Sequence, residues 1–293
     1  MTRQRLWVLF GAMGWLAFFA ATLAVPRSDD PAVWPQVASM MLGLAILMAV
    51  LLSGERAYWP AWLRWVIFGA GLAFIAVPYL LNDNRPEIRA FVALGLIMVA
   101  LPVGYWIGDR MQKATNLVPL AIAMSLADIY SVFQGPSRRV AEEISQHQQE
   151  VAEVVRQVTA TDGAAAAAKA AAELRAPLGD FVVVHLPLAG TGVSMPVLGV
   201  GDFIIFAFLF RAAWVHSISP TTVFVAGFVS TVLALLASNL TGIPLPALPF
   251  IALGTIGWLL LTQPRMRRLD KQETALSVGV VAIFAALLLV KWL

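Results

Sequence analysis

The chain has no cysteine. That excludes disulfides, thiol nucleophiles and thiolate metal sites. Charge is scarce too: 13% of its 293 residues are Asp, Glu, Lys or Arg, about half the share in soluble domains. Histidine occurs only at His147, His185 and His216, and His-Glu-x-x-His is absent, so no zinc centre is indicated. Residues 135–138 read Gly-Pro-Ser-Arg rather than the Gly-x-Ser-Gly of a rhomboid-type serine protease. The formal net charge of +3 is carried by loops and reads as a topology signal rather than a nucleic-acid patch.

What is abundant is apolar sequence: 60% of residues are hydrophobic, and the mean hydropathy is +0.80. A helical membrane span needs about 20 such residues. Nine runs qualify, at 6–25, 37–53, 62–81, 90–107, 117–133, 196–215, 222–240, 246–262 and 275–292. The expectation is an all-α polytopic membrane protein of about nine transmembrane helices. Trp34, Trp59, Trp62, Trp106 and Trp292 lie near span ends, as interfacial aromatics do. The first run, behind Arg3 and Arg5 and ending at Thr22-Leu23-Ala24, also admits reading as a cleaved signal peptide, although it is long for one.

The long polar stretch is 134–195. Val140, Ile144, Val151, Val155 and Val158 recur there at helical spacing, which predicts an amphipathic helix on the membrane or the protein. An alanine-rich stretch to Leu174 predicts a short helix. Residues 180–188, Asp-Phe-Val-Val-Val-His-Leu-Pro-Leu, are β-branched and too short to span, which predicts an extended segment. His185 within it reads as a loop histidine.

Of 17 acidic residues, these boundaries leave two inside spans, Asp128 and Asp202. An aspartate at a span centre costs about 2.5–3.5 kcal/mol on insertion scales and as a rule faces a polar cavity. A structural hydrogen bond to a neighbouring helix is the plain alternative. Spans five and six are consecutive, so the polar stretch joins them on one side of the membrane. Asp128 lies five residues inside the end of one and Asp202 six inside the start of the other, depths of about 7.5 and 9 Å. Two carboxylates that meet cannot both ionise easily and share a proton. One then acts as base toward a water and the other as acid toward a carbonyl.

Gly199 and Gly201 precede Asp202 and permit close approach of a helix or a substrate strand. The eighth run opens with Pro-Leu-Pro-Ala-Leu-Pro-Phe at 244–250, where Pro244, Pro246 and Pro249 disfavour regular helix. Irregular backbone at membrane depth is tolerated where it is buried or lines a watery cavity. Counting spans puts this segment on the same side as the aspartates. Arg211, nine residues past Asp202, lies about 13 Å further along the helix and reads as snorkelling toward the far interface.

Asp128, then Gly199-Val200-Gly201-Asp202, then Pro246-Ala247-Leu248 resemble the presenilin and signal peptide peptidase family of intramembrane aspartyl proteases, most closely its signal peptide peptidase and prokaryotic branch. The resemblance implies a presenilin-like helix bundle with the polar loop between two catalytic helices. Asp128 and Asp202 would be the catalytic dyad, with Gly199, Gly201, Pro246, Ala247 and Leu248 shaping the site. It implies no metal and no cofactor. Family members usually carry Tyr before the first aspartate; here Ala127 stands there and Tyr130 follows two residues later. Four spans precede Asp128 instead of five, and one extra span follows the proline motif. The division is then 1–116, an N-terminal four-span region; 117–262, the catalytic core; and 263–293, a basic loop with the extra span. The implied partners are transmembrane peptide or protein substrates and membrane lipid, with no nucleic acid. Family members also expose an extended segment ahead of the second catalytic span, and 180–188 suits either strand addition to a substrate or internal pairing.

Two other classes share some of these features. A prepilin-peptidase-type protease also uses a Gly-x-Gly-Asp aspartate but lacks Pro-Ala-Leu. A proton-coupled transporter also pairs membrane carboxylates with broken helices, but no repeated pair of broken spans is present. Basic residues favour a cytoplasmic N-terminus: ten fall in short segments on that side against four on the other. The expected location is a prokaryotic plasma membrane, with the catalytic loop toward the outer face.

Overall fold

Apolar residues that surround a helix on all sides leave it two places to go, the interior of a bundle or lipid. The computed structural model describes residues 3–26, 33–56, 59–82, 85–162, 177–191, 194–241 and 246–290, and most of its helices are of this kind. Helices α1 (Arg3–Leu23), α2 (Val33–Arg56), α3 (Ala61–Leu81) and α4 (Pro86–Gly108) are followed by a 3-10 turn at Ala114–Asn116 and by α5 (Leu117–Gln134). Then come α6 (Pro136–Asp162), the single turn α7 (Leu178–Phe181), strands β1 (Val183–Pro187) and β2 (Ser194–Gly199), and α8 (Val200–Val215). Helices α9 (Pro220–Thr241), α10 (Ala247–Thr262) and α11 (Lys271–Val290) complete the chain. Among the described residues six helices are long and apolar enough to cross a membrane: α1, α2, α3, α4, the 3-10 turn with most of α5 (Ala114–Val132), and α9. The chain is a mostly helical, multi-pass membrane protein. Both α8 and α10 are equally apolar but have 16 residues each.

Helix α8 is the hub. It packs against α2, α4, α9 and α10, and Phe203, Phe206, Phe208 and Phe210 are fully buried around it. Helix α3, by contrast, packs mainly on α4 and leaves its large side chains exposed, as a lipid-facing helix does. On the other flank α5 packs against α10 and α11. Because α10 touches both α5 and α8, it connects the two aspartate-bearing helices.

The two strands form an antiparallel hairpin with a bulge, Val184 pairing with Leu198 and His185 with Pro196. The irregularity falls where Pro196 has no N–H to give the ladder. Strand β1 is buried against α1, α2 and α4. Ser39 on α2 fixes it, donating to the Pro187 carbonyl and accepting from the Ala189 N–H, both at 3.1 Å. Trp15 Nε1 donates to the Ala90 carbonyl at 3.0 Å, which ties α1 to α4 beside it.

Several sequence expectations change. The sixth span begins at Val200 rather than 196, because 194–199 is strand. Asp202 is therefore the third residue of its helix. The extended segment 180–188 opens with a helical turn that holds Asp180 and Phe181, and its strand pairs within the chain. Helix α2 runs past 53 to Arg56 and buries Glu55 completely, so a third acidic residue lies inside a long apolar helix. Proline 249 does not interrupt α10 but lies in its first turn, where no intrahelical N–H is needed. The amphipathic helix is present as α6, with Val140 packed directly against Gly179. The alanine-rich stretch to Leu174, Pro244 and Trp292 lie outside the described residues, as do the side chains of Val155 and Val158.

Candidate active site

The first turn of a helix has backbone N–H groups without intrahelical partners, and these donate readily to a carboxylate. Pro246 is the N-cap of α10, with φ −62° and ψ 124°. Two residues on, the Leu248 N–H donates to Asp128 Oδ2 at 3.1 Å. Pro249 follows and has no N–H of its own. The Pro-Ala-Leu segment thus reaches the first aspartate through its main chain. Pro246 is buried, and Asp128, Ala247 and Leu248 are half-buried.

Asp202 is held by the same kind of contact. Gly199 is the N-cap of α8, in extended conformation, and its N–H donates to Asp202 Oδ2 at 2.9 Å. That is the reach-back half of a capping box. The carboxyl is 9% exposed and close enough to Asp128 for the two to repel each other. Counting along the helices no longer gives matched depths, since Asp202 is in the first turn of α8. Strand β2, rather than helix, leads into that turn, and the start of α10 donates to Asp128. The structure brings Asp128, Gly199, Asp202 and Leu248 together at one end of the bundle. Among the described residues a Cβ on Gly201 would meet nothing within 4 Å, so its flank is open to them. Tyr130 is exposed.

Behind the hairpin lies a charged group that sequence reasoning missed. His185 is 4% exposed, not a loop histidine at the surface. Its Nε2 lies 3.1 Å from both Asp180 Oδ1 and the Asp180 carbonyl. Arg89, on α4, places Nη1 2.9 Å from His185 Nδ1 and Nη2 2.5 Å from Asp180 Oδ2. Burial disfavours ionised Asp180, but hydrogen bonds from His185 and Arg89, with the guanidinium charge, outweigh it and hold the carboxyl well below the usual range. Burial and the Arg89 charge push His185 below its ordinary value against the pull of Asp180. Arg89 Nη1 faces both ring nitrogens, at 2.9 Å from Nδ1 and 2.5 Å from Nε2, and Nε2 faces Asp180 as well. Only the fold juxtaposes Arg89 with residues 91 and 96 positions away, so no local motif announces the group.

Another charged group occupies the far end of α8. Arg211 does not reach for an interface unpaired: its Nε donates to Asp109 Oδ1 at 2.6 Å, and Arg64 lies 3.5 Å from the other oxygen. Both guanidinium groups lie over the Tyr105 ring, at 4.0 and 4.2 Å from its centroid. Glu55 is buried beside them, and among the described residues neither carboxylate oxygen has a hydrogen-bond partner.

Among the described residues no cluster of three or more His, Asp or Glu side chains is placed to hold a metal. No family model, curated protein or solved structure matches the chain.

Proposed function

We propose that this chain is an intramembrane aspartyl protease that hydrolyses peptide bonds in transmembrane segments of membrane proteins or signal peptides. The observation that carries the reading is the Leu248 N–H to Asp128 hydrogen bond, which joins the Pro-Ala-Leu segment to one aspartate while the other stands within electrostatic reach. The resemblance to presenilins and signal peptide peptidases supplies the reaction class. Supporting it, the two carboxylates share one end of the bundle and each has an oxygen oriented by main chain.

In the reaction, the ionised carboxylate takes a proton from water as its oxygen attacks the scissile carbonyl carbon. The protonated carboxyl gives its proton to the carbonyl oxygen, forming a geminal diol. Collapse of the diol breaks the C–N bond; one diol hydroxyl returns its proton to the dyad, and the leaving nitrogen gains one. A substrate must unwind for this, and the open flank at Gly201 leaves room for it. Strand β2, half-buried and leading straight to Asp202, suits pairing with the unwound substrate better than buried β1 does.

The bundle is read as nine spans, with α8, α10 and α11 crossing alongside the six helices named above. The N-terminus is read as cytoplasmic and the dyad end as outward in a prokaryotic plasma membrane. A cysteine at exposed Ser145 should then react with an impermeant thiol reagent in intact cells; labelling only after lysis reverses the orientation. A prepilin-peptidase-type protease and a proton-coupled transporter are the alternatives. Incubating the purified protein with a model transmembrane peptide separates the classes, because a carrier releases no fragments. Hydroxyl-bearing mimics of the hydrated carbonyl should block the cleavage.

A further inference from the structure

The last helix is joined to α5 at one end and stands off from it further along. At the joined end Lys113 Nζ contacts Asp270 Oδ2 at 2.6 Å, and Thr115 donates to buried Glu273. Asp270 and Glu273 also cap α11 reciprocally, each accepting the other's N–H at 2.8 Å. Beyond this latch lies a hollow of about 480 Å³. Its α5 side is Asn116, Pro119, Leu120 and Ala123, and its α11 side is Gln272, Leu276 and Val280. A second hollow of about 510 Å³, lined by α11 alone among the described residues, shares those three residues and continues past Gly279 to Ile283.

The lining is graded along its length. The mouth is polar, with Gln112, Lys113, Asn116, Asp270, Gln272 and Glu273; along α11 the lining past Glu273 is apolar. From Gln272 to Ile283 the α11 stripe rises about 16 Å, about half of the ~30 Å hydrocarbon core. The segment beside the mouth is basic: 264–273 carries Arg265, Arg267, Arg268 and Lys271 against Asp270 and Glu273. The turn Pro264–Arg267 packs on Ala114–Asn116. Arg267 caps the Leu260 and Leu261 carbonyls; Arg265, Arg268 and Lys271 are exposed in the same flanking segment, outside the lining of the hollows themselves.

We propose that the groove between α5 and α11 is a binding site for an anionic glycerophospholipid, an acyl chain lying along the apolar stripe and the phosphate headgroup at the mouth, beside the basic segment. The groove's depth matches one leaflet, and the charge of the flanking segment is complementary to a phosphate headgroup. The site is distinct from the Asp128–Asp202 end and does not depend on proteolytic activity. Because Ala123 and Asp128 share α5, its occupant touches the helix that carries the first aspartate.

The test is native mass spectrometry of the full chain in detergent, with phosphatidylglycerol or phosphatidylcholine added. Wild type should retain phosphatidylglycerol at least tenfold more strongly than phosphatidylcholine. Gly279→Leu fills the groove at a position where an added Cβ meets nothing within 4 Å; it should remove retention of both lipids. Ala275→Phe fills the neighbouring position and should act alike, with the melting temperature in lipid-free detergent reporting folding of each variant. Arg268→Gln with Lys271→Gln should erase the headgroup preference while phosphatidylcholine is retained as before. Undiminished phosphatidylglycerol retention by folded groove-filled variants, or equal retention of the two lipids by wild type, would overturn the proposal.

Discussion

At its head α8 carries Asp202, with Asp128 opposite and, among the described residues, no cation acting on either. At its tail it carries Arg211, which meets Asp109, shares the faces of Tyr105 with Arg64 and lies near Glu55. Both ends carry acidic groups, but only at the tail is one of them, Asp109, paired with cations; Glu55 is buried there with no hydrogen-bond partner among the described residues. Ion pairing and guanidinium stacking there fasten α8 to α2, α3 and α4, which is a structural use of charge. The head has two carboxyls within electrostatic reach and, among the described residues, no such pairing, which under the proposed function suits them to sharing a proton.

The largest expected effect lies at the head. Asp128→Asn or Asp202→Asn should lower cleavage about 10²–10⁴-fold, the usual worth of a positioned acid or base. Asparagine Oδ1 still accepts the Leu248 or Gly199 N–H, so melting temperature should hardly move. Asp202→Ala loses the cap too and should destabilise by about 1 kcal/mol. If Asp202→Asn keeps full activity, its carboxylate is only a helix cap.

At the tail the balance should invert. Arg211→Ala strips Asp109 of its nearest cation and, the pair being partly exposed, should destabilise by about 1 kcal/mol, read by thermal unfolding in detergent. Cleavage per folded molecule should be unchanged. A severe loss of cleavage in a normally stable Arg211 variant would erase the contrast between the two ends.

The proline segment gives a smaller effect on cleavage than the aspartates do. Leu248→Pro removes the N–H that Asp128 accepts, at a first-turn position where proline is tolerated. A hydrogen bond to a charged group is worth about 1.5–3 kcal/mol, so cleavage should fall about 10–100-fold. Leu248→Ala keeps the donor and should fall less. Equal effects from the two would assign the segment's role to the leucine side chain.

The smallest effect is a pH slope. His185 is pushed below its ordinary value in the folded chain, so the unfolded chain binds the extra proton first. Its stabilising contribution is complete above about pH 6.5 and is lost as pH falls from there through the folded value. Asp180 is depressed too; its contribution is complete above about pH 3.9 and is lost only below that. Unfolding midpoints measured from pH 7 to pH 5 should therefore decline, and His185→Gln should flatten the decline. An unchanged slope in that variant would remove His185 as its cause.

Hydropathy made the helices legible because lipid-facing and bundle-facing surfaces are both apolar. Asp128, Gly199, Asp202 and Leu248 were legible as short motifs. Their meeting was legible only in part, since helical counting placed Asp202 six residues deep and strand β2 moved it to the first turn. Glu55 was missed because the apolar run weakens at Ser53, although the helix continues to Arg56. The Arg89–Asp180–His185 group was missed because its parts lie on α4, α7 and β1. The groove beside α11 depends on how two helices diverge, which no local pattern encodes.

The most direct test of the dyad is hydrolysis in heavy-oxygen water. Purified wild-type protein is incubated with a model transmembrane peptide, and the products are weighed by mass spectrometry. The reading predicts two fragments whose masses sum to the peptide plus one water, with heavy oxygen in the new carboxyl terminus, and none from Asp128→Asn or Asp202→Asn. Undiminished fragments from both variants would contradict it.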